Sequence, residues 1–217
     1  MRSDKEIEQD VKDELRWEPG IESKDVAVSV KNGVVALTGF AHSYFDKWEA
    51  EKAAKRVSGV VGVANDIEVR LRSVDEKPDP EIARDAVAAL KSQLPISYEK
   101  IKIVAKSGWI TLEGAVEWQY QKETAERAIR HVKGVKGVSN LITLKPQVIP
   151  TEVKRKIEEA LKRNAEIDAN RISVEARGGE VVLKGTVRSW IEREEAEHAA
   201  WAAPGVVKVE DRITISP

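Results

Sequence analysis

The 217-residue sequence contains no cysteine, so disulfide bonds and thiolate chemistry are excluded. Long apolar runs are also missing, and without a stretch of about 18 such residues no transmembrane helix is expected. The chain also lacks an excess of charge of either sign, because its 36 Lys and Arg residues are nearly balanced by 37 Asp and Glu residues. A chain without a basic field is not expected to gather nucleic acid.

The first ten residues are acidic and lack an apolar core stretch, so they do not resemble a secretory signal. We therefore predict a cytoplasmic protein with no transmembrane segment.

What the sequence does contain is an internal repeat without gaps. In each copy a stretch of alternating apolar residues ends in Leu-x-Gly, and a second glycine, followed by Val, lies 20 residues later. The first glycines are Gly39, Gly114 and Gly185, and the second are Gly59, Gly134 and Gly205. The pattern predicts three tandem domains, copies one to three, at residues 1–73, 78–146 and 150–217.

Each copy predicts the order helix, strand, strand, helix, strand. The first helix has apolar residues four positions apart, which are Ile7, Val11 and Leu15, then Ile82, Ala86 and Leu90, then Val153, Ile157 and Leu161. The second helix uses mainly alanine, and the second set of glycines is expected to end it in a left-handed conformation. The predicted fold class is α+β, with three αββαβ domains whose two helices cover one face of a three-stranded sheet.

The expected helix starts differ between copies. Ser3 with Glu6 forms a capping box, Asp79 is a predicted N-cap before Pro80, and Thr151 caps the third copy. The linker at 72–80 is charged, whereas the one at 146–150 is short and bounded by prolines. We therefore expect copy one to have more orientational freedom than the other two.

The repeat resembles the BON domain family, named for osmotically inducible and nodulation proteins of bacteria. The resemblance is carried by Leu-x-Gly and by a later Gly-Val-x-x-Val-x-Asn/Asp-x-Ile signature that starts at Gly59, Gly134 and Gly205. It implies an αββαβ fold, no enzymatic activity and a role in binding phospholipid or other surfaces during osmotic and envelope stress. Copy three has Lys208 where the others have Gly62 and Gly137. The sequence therefore leaves open whether the loop before its third strand differs from the other two.

The sequence pattern does not bring together residues of the types that form catalytic or metal sites. His42, His131 and His198 occupy different repeat positions and are interpreted as surface residues. A nucleophile elbow, a phosphate-binding glycine loop and paired catalytic carboxylates are not recognisable. We predict no catalytic residue, no metal, no cofactor and no enzymatic activity.

The aromatic residues follow the repeat poorly. The tryptophans occupy six different repeat positions, at Trp17, Trp48, Trp109, Trp118, Trp190 and Trp201. Packing between copies and an interface with a partner, a second chain or a membrane both remain open interpretations.

Copy two alone is expected to have an apolar open sheet face. Trp109 alternates with Ile110 and is predicted to point away from the helices, together with Val104 and Leu141. Because large apolar patches are seldom bare, we predict that these three residues and Trp118 contact a partner or a neighbouring copy.

Copy two is also the basic part of the chain. Residues 76–147 carry a net +3, against −3 for residues 1–75 and −1 for residues 148–217. The excess lies on the second helix and at its end, at Lys122, Arg127, Arg130, Lys133 and Lys136. Each such charge contributes about 1 kcal/mol near an anionic bilayer, so these residues are a candidate lipid or anion site. The alternative is a solvated helix whose cations pair with Glu123 and Glu126.

Two functions are consistent with these features. The first is a non-enzymatic stress-related module that binds phospholipid surfaces or protein partners. The second is a structural protein that forms homo-oligomers through the open face of copy two and the unmatched tryptophans.

Overall fold

The computed structural model describes residues 2–145, 152–164 and 167–216. The predicted linker at 146–150 and the predicted cap at Thr151 lie outside these residues. The chain divides into two compact units, one holding copies one and two and the other holding copy three with Glu117–Tyr120. Within the described ranges, every helix is too short or too polar to cross a bilayer.

The predicted order of elements is confirmed in all three copies. Copy one contains α1 (Asp4–Trp17), β1 (Val26–Lys31), β2 (Val34–Ala41), α2 (Tyr44–Arg56) and β3 (Gly62–Val69). Copy two contains α3 (Asp79–Gln93), β4 (Ile101–Lys106), β5 (Trp109–Val116), α4 (Gln119–Arg130) and β6 (Gly137–Leu144). Copy three contains α5 (Val153–Arg163), β7 (Ile172–Arg177), β8 (Glu180–Val187), α6 (Trp190–Trp201) and β9 (Lys208–Ile215).

The second strand of each copy is the middle strand of its sheet, and the third strand is an edge. In copies one and three the first two strands are antiparallel, and the third runs parallel to the second after the helical crossover. The open face of each sheet lies opposite its two helices.

The core of each copy consists of the predicted apolar stripes. Ile7, Val11 and Leu15 are at most 3% exposed, and their counterparts in α3 and α5 are buried as well. Ala50, Ala53 and Ala54 are fully covered, so α2 lies close to the sheet as its small residues predicted. The capping box of Ser3 and Glu6 is also present.

The glycine of the Leu-x-Gly motif is required for a steric reason. A Cβ atom on Gly39, Gly114 or Gly185 would lie 2.0–2.1 Å from a backbone carbonyl oxygen of the turn before the first strand. Gly59, Gly134 and Gly205 have positive φ angles of 93°, 90° and 85°, as expected. They lie in the turn after the helix and not at its last residue.

The Asn/Asp of the signature joins the last strand to the second helix. The amide nitrogen of Asn65 donates to the Lys47 carbonyl at 3.0 Å, and Asn140 donates to Lys122 in the same way. In copy three Asp211 cannot donate, and its carboxylate accepts from Arg193 Nε at 2.5 Å instead.

Three sequence expectations need correction. Asp79 is the first residue of α3 and not its N-cap, because its carboxylate accepts from the N–H groups of Ser107 and Gly108 at 2.7 and 2.9 Å. The loop before β9 is not different, since Val207 N donates to Gly179 O as Val61 N does to Gly33 O.

The third correction concerns copy one, which is not free of copy two. Its linker is held on both sides, because Arg72 pairs with Glu22 and Asp75 pairs with Lys133.

Candidate functional site

The open sheet face of copy two is apolar, as predicted. Val104, Trp109 and Leu141 are 52%, 50% and 59% exposed, whereas Ile110 and Leu112 on the opposite face of β5 are buried. Trp109 lies against Gly137, and its Nε1–H donates to Ser139 Oγ at 2.9 Å. The hydrogen bond holds the indole in place while half of its surface stays open to solvent.

Two lysines flank this apolar surface. Lys102 and Lys106 alternate along β4 with residues that face the core, so they share the open face with Val104. Glu113 stands opposite Lys102 in the strand register. The open face of copy two therefore combines three large apolar side chains with a small positive excess.

The other two copies differ at the same positions. Copy one has Ser29, Val34 and Asp66 there, and copy three has Glu175, Glu180 and Arg212. In copy three the charges cancel locally, because Lys184 pairs with Glu175 at 2.6 Å and Arg212 pairs with Glu210 at 2.5 Å. Neither copy reproduces the combination found in copy two.

Of the five basic residues predicted as a lipid or anion site, Arg130 and Lys133 are held in contacts within the unit of copies one and two. Arg130 is only 15% exposed at its side chain, pairs with Glu126 at 2.7 Å and stacks on Trp48 of copy one at 4.1 Å. Lys133 pairs with Asp75 of the linker at 2.9 Å. Arg130 is thus part of the contact between copies one and two.

The remaining three residues of that set have different surroundings. Arg127 is exposed on α4, and Lys122 is half-buried, with its carbonyl bound by Asn140. The stem of Lys136 approaches Gly108 at the β4–β5 turn, which precedes Trp109 in the chain. Trp118, which was predicted to share the apolar interface, is 38% exposed and belongs to the unit of copy three.

The sequence did not identify the contact between copies one and two. Phe45 packs on His131 with ring centroids 4.3 Å apart, so this histidine has a partner in copy one. Trp48 contacts Arg130, which confirms packing between copies for this one of the unmatched tryptophans. The available signal was that Trp48 is aromatic where the other copies have Glu123 and Glu194.

A cleft of about 240 Å³ lies between copies one and two, beside Arg130, His131 and Lys133. Its two cations face Glu126 and Asp75, so the charges cancel in pairs. The cleft therefore lacks the positive excess that would concentrate an anion.

A second cluster contains side chains of the types that bind metal ions. Ligand atoms of Glu22, Asp25 and His42 lie within 4.8 Å of one another, and such nitrogen and carboxylate donors suit divalent transition metals. Arg72, however, pairs with Glu22 at 2.5 Å. Burial raises the pKa of the nearby Asp46 carboxyl. A hydrogen bond from Ser43 and the interactions with His42 and Arg72 act in the opposite direction but do not outweigh burial. Because the guanidinium supplies the positive charge, we assign no metal here.

Comparison with known proteins agrees with the repeat. A family model described as BON domain matches residues 3–70, 78–146 and 151–217. Osmotically-inducible protein Y of Escherichia coli (strain K12) is 32% identical over 145 residues, which cover 63% of this chain and 70% of that protein.

Two solved structures match weakly over most of the chain. CdsD, a structural protein of the type III secretion system of Chlamydia trachomatis, has 16% identity and a TM-score of 0.28, with 96% of this chain and 91% of CdsD covered. The PrgH periplasmic domain has 13% identity and a TM-score of 0.22, with 94% and 99% covered. At such TM-scores neither structure supports an inference about this chain.

Proposed function

The chain belongs to the BON domain family, and from this premise we propose that it is a non-catalytic, stress-related module that binds anionic phospholipid surfaces through the open sheet face of copy two. The similarity to an osmotically inducible protein supports the stress-related part of the proposal. The surface itself supports the lipid part.

The observation that carries the proposal is the combination of Val104, Trp109 and Leu141 with Lys102 and Lys106 on one face. Tryptophan favours the interface between water and lipid, because its apolar ring can contact the lipid while its polar N–H group remains at the level of the headgroups. A lysine near an anionic bilayer adds about 1 kcal/mol, which salt screens. Such a surface would bind reversibly and only where anionic lipid is present.

The open sheet is a better candidate than helix α4. Arg130 of the helix set already contacts Trp48 and Glu126, and it would have to leave both partners to reach a bilayer. Lys102 and Lys106 require no such movement, because both are exposed.

The test is flotation of the full chain with vesicles of phosphatidylcholine alone or mixed with phosphatidylglycerol. We expect binding only to the mixed vesicles and its loss in Trp109→Glu. Copy three carries Glu180 at this position, so the fold accepts the residue. Val34→Glu is the matched control, because Val34 takes the same place in copy one and is 45% exposed. Equal loss in both variants, or no loss in either, would refute the site.

A second arm separates the sheet from the helix. Charge reversal of Lys102 and Lys106 should weaken binding, whereas reversal of Arg127 should leave it nearly unchanged. If reversal of Arg127 weakens binding more than reversal of Lys102 and Lys106, the lipid site lies on α4 and not on the open sheet.

Homo-oligomerisation is the second candidate function, because an exposed apolar patch also suits a second copy of the chain. Light scattering decides between them. A monomer that binds the mixed vesicles supports lipid binding, and an oligomer that dissociates in Trp109→Glu and ignores vesicles supports assembly. The cytoplasmic location stays a prediction, which cell fractionation would test.

A further inference from the structure

The tip of the β4–β5 hairpin, which immediately precedes Trp109, has an unfavourable backbone conformation. Ser107 has a positive φ angle of 52°, and Gly108 has one of 80°. A left-handed φ is accessible to glycine, but it is unfavourable for a residue with a Cβ atom, such as serine. The turn therefore needs stabilising contacts from outside the hairpin.

Two such contacts hold the turn. The carboxylate of Asp79, the first residue of α3, accepts the N–H groups of Ser107 and Gly108 at 2.7 and 2.9 Å, one on each oxygen. The carbonyl oxygen of Gly108 accepts the N–H of Lys136, the residue before β6, at 2.8 Å. The turn is thus bound both to the start of α3 and to the start of β6.

Trp109 depends on the same turn for its position. It follows Gly108 and is the first residue of β5, so the backbone that carries its indole begins at the turn. The ring lies against Gly137, the residue after Lys136, and its Nε1–H donates to Ser139 Oγ at 2.9 Å. A displaced turn would therefore move the indole relative to β6 and weaken both contacts.

Copy one has the same arrangement without the tryptophan. The carboxylate of Asp4, the first residue of α1, accepts the N–H groups of Asn32 and Gly33 at 2.8 and 3.0 Å. The strand that follows this turn begins with Val34 and not with an aromatic residue. Loss of the carboxylate should therefore disturb a hairpin in either copy, but only in copy two should it disturb the apolar open face.

We propose that Asp79 is a positioning residue for the open face of copy two: its carboxylate fixes the β4–β5 turn and thereby holds the indole of Trp109 in place. Asp79 does not have to touch lipid for this role, because it acts through the turn. The consequence for binding rests on the proposed function, whereas the effect on Trp109 does not.

The experiment compares Asp79→Ala with Asp4→Ala in the full ¹⁵N-labelled chain. Each variant loses a carboxylate at the first residue of a helix and two hydrogen bonds, so urea denaturation should show losses of unfolding free energy of the same order. Only Asp79→Ala should shift the indole N–H resonance of Trp109. It should also weaken binding to vesicles with phosphatidylglycerol about three- to tenfold, because a loosened hairpin must be ordered on binding.

The direction of the change separates positioning from charge. Removal of a carboxylate close to an anionic bilayer strengthens binding by itself, whereas loss of positioning weakens it. Asp79→Asn removes the same charge but keeps one oxygen that accepts an N–H group, so it should weaken binding less than Asp79→Ala does. This variant also tests the proposal if Asp79→Ala does not fold.

Each other result would overturn the proposal. Tighter binding of Asp79→Ala would mean that Asp79 acts by its charge, and equal weakening in Asp4→Ala would mean a general loss of stability. An unmoved Trp109 resonance would exclude the positioning role, and equal losses in the Asn and Ala variants would exclude hydrogen bonding as its cause. If the wild-type chain ignores vesicles, the proposed function fails, and the Trp109 resonance still decides whether Asp79 positions this residue.

Discussion

The indole of Trp109 lies so close to the backbone of Gly137 that a Cβ atom on this glycine would stand 2.4 Å from the ring. Copy one has Val34 against Gly62, where the added atom would meet Val34 at 3.7 Å. In copy three Glu180 stands opposite Lys208. The large ring of Trp109 on the middle strand therefore requires a residue without a Cβ atom at Gly137 on the edge strand.

Gly137→Ala should displace Trp109 from the open face. Its Cβ overlaps the ring, so the ring must rotate away and loses its bond to Ser139, at a cost of about 1–3 kcal/mol of unfolding free energy. Urea denaturation measures this loss. Gly62→Ala is the matched control, because its Cβ makes an ordinary contact with Val34. Trp109→Val should restore stability to Gly137→Ala, and equal effects of the two glycine variants would contradict the explanation.

Repetition explains why the fold could be predicted. The spacing of Ile7, Val11 and Leu15 suggests a helix, and two further copies in register make a chance pattern untenable. Local polar contacts were less accessible. Asp79 has the residue type and position of an N-cap, but its carboxylate binds a hairpin 28 residues later along the chain. Only the folded sheet brings that hairpin to the start of α3.

The Asp211–Arg193 pair should behave as a replacement for the Asn–carbonyl link of the other copies. Arg193→Ala leaves the carboxylate of Asp211, which is 11% exposed, without its cation. We expect a loss of about 1.5–3 kcal/mol, the usual range for a charge-assisted hydrogen bond. The double variant Arg193→Lys, Asp211→Asn recreates Lys47 and Asn65 of copy one and should recover most of the loss. Urea denaturation of the single and double variants checks this, and additive losses would contradict it.

Glu192 should make the stability of copy three depend on pH. Its burial favours the neutral acid, but hydrogen bonds from the backbone and side chain of Arg188 and from Asp168 N outweigh burial and lower its pKa from 4.5. The stabilisation is therefore complete above about pH 4.5 and is lost as pH falls through the lower folded pKa. Glu192→Gln should be less stable than wild type at neutral pH, and urea denaturation should show the difference shrinking in acid. A difference independent of pH would exclude this role.

The candidate site was only partly readable from the sequence. Alternation along β5 correctly placed Trp109 on the open face, because the period of a strand decides which face a residue takes. Helical spacing likewise placed Arg130 on the surface of α4, but it does not show which copy covers that surface. Trp48 lies far away in sequence, and only the packing of copies one and two brings its ring under Arg130.

Asp79→Ala should loosen the β4–β5 hairpin. Hydrogen bonds from the N–H groups of Gly108 and Ser107 lower the pKa of Asp79 below its usual 3.8, so the carboxylate binds both donors above that pH and releases them as pH falls through the lower folded pKa. At neutral pH we expect these amides to exchange about tenfold faster in the variant, measured by hydrogen exchange. Glu81→Ala, in the same first turn of α3, is the control, and a similar acceleration there would show that helix charge and not the hairpin contact is responsible.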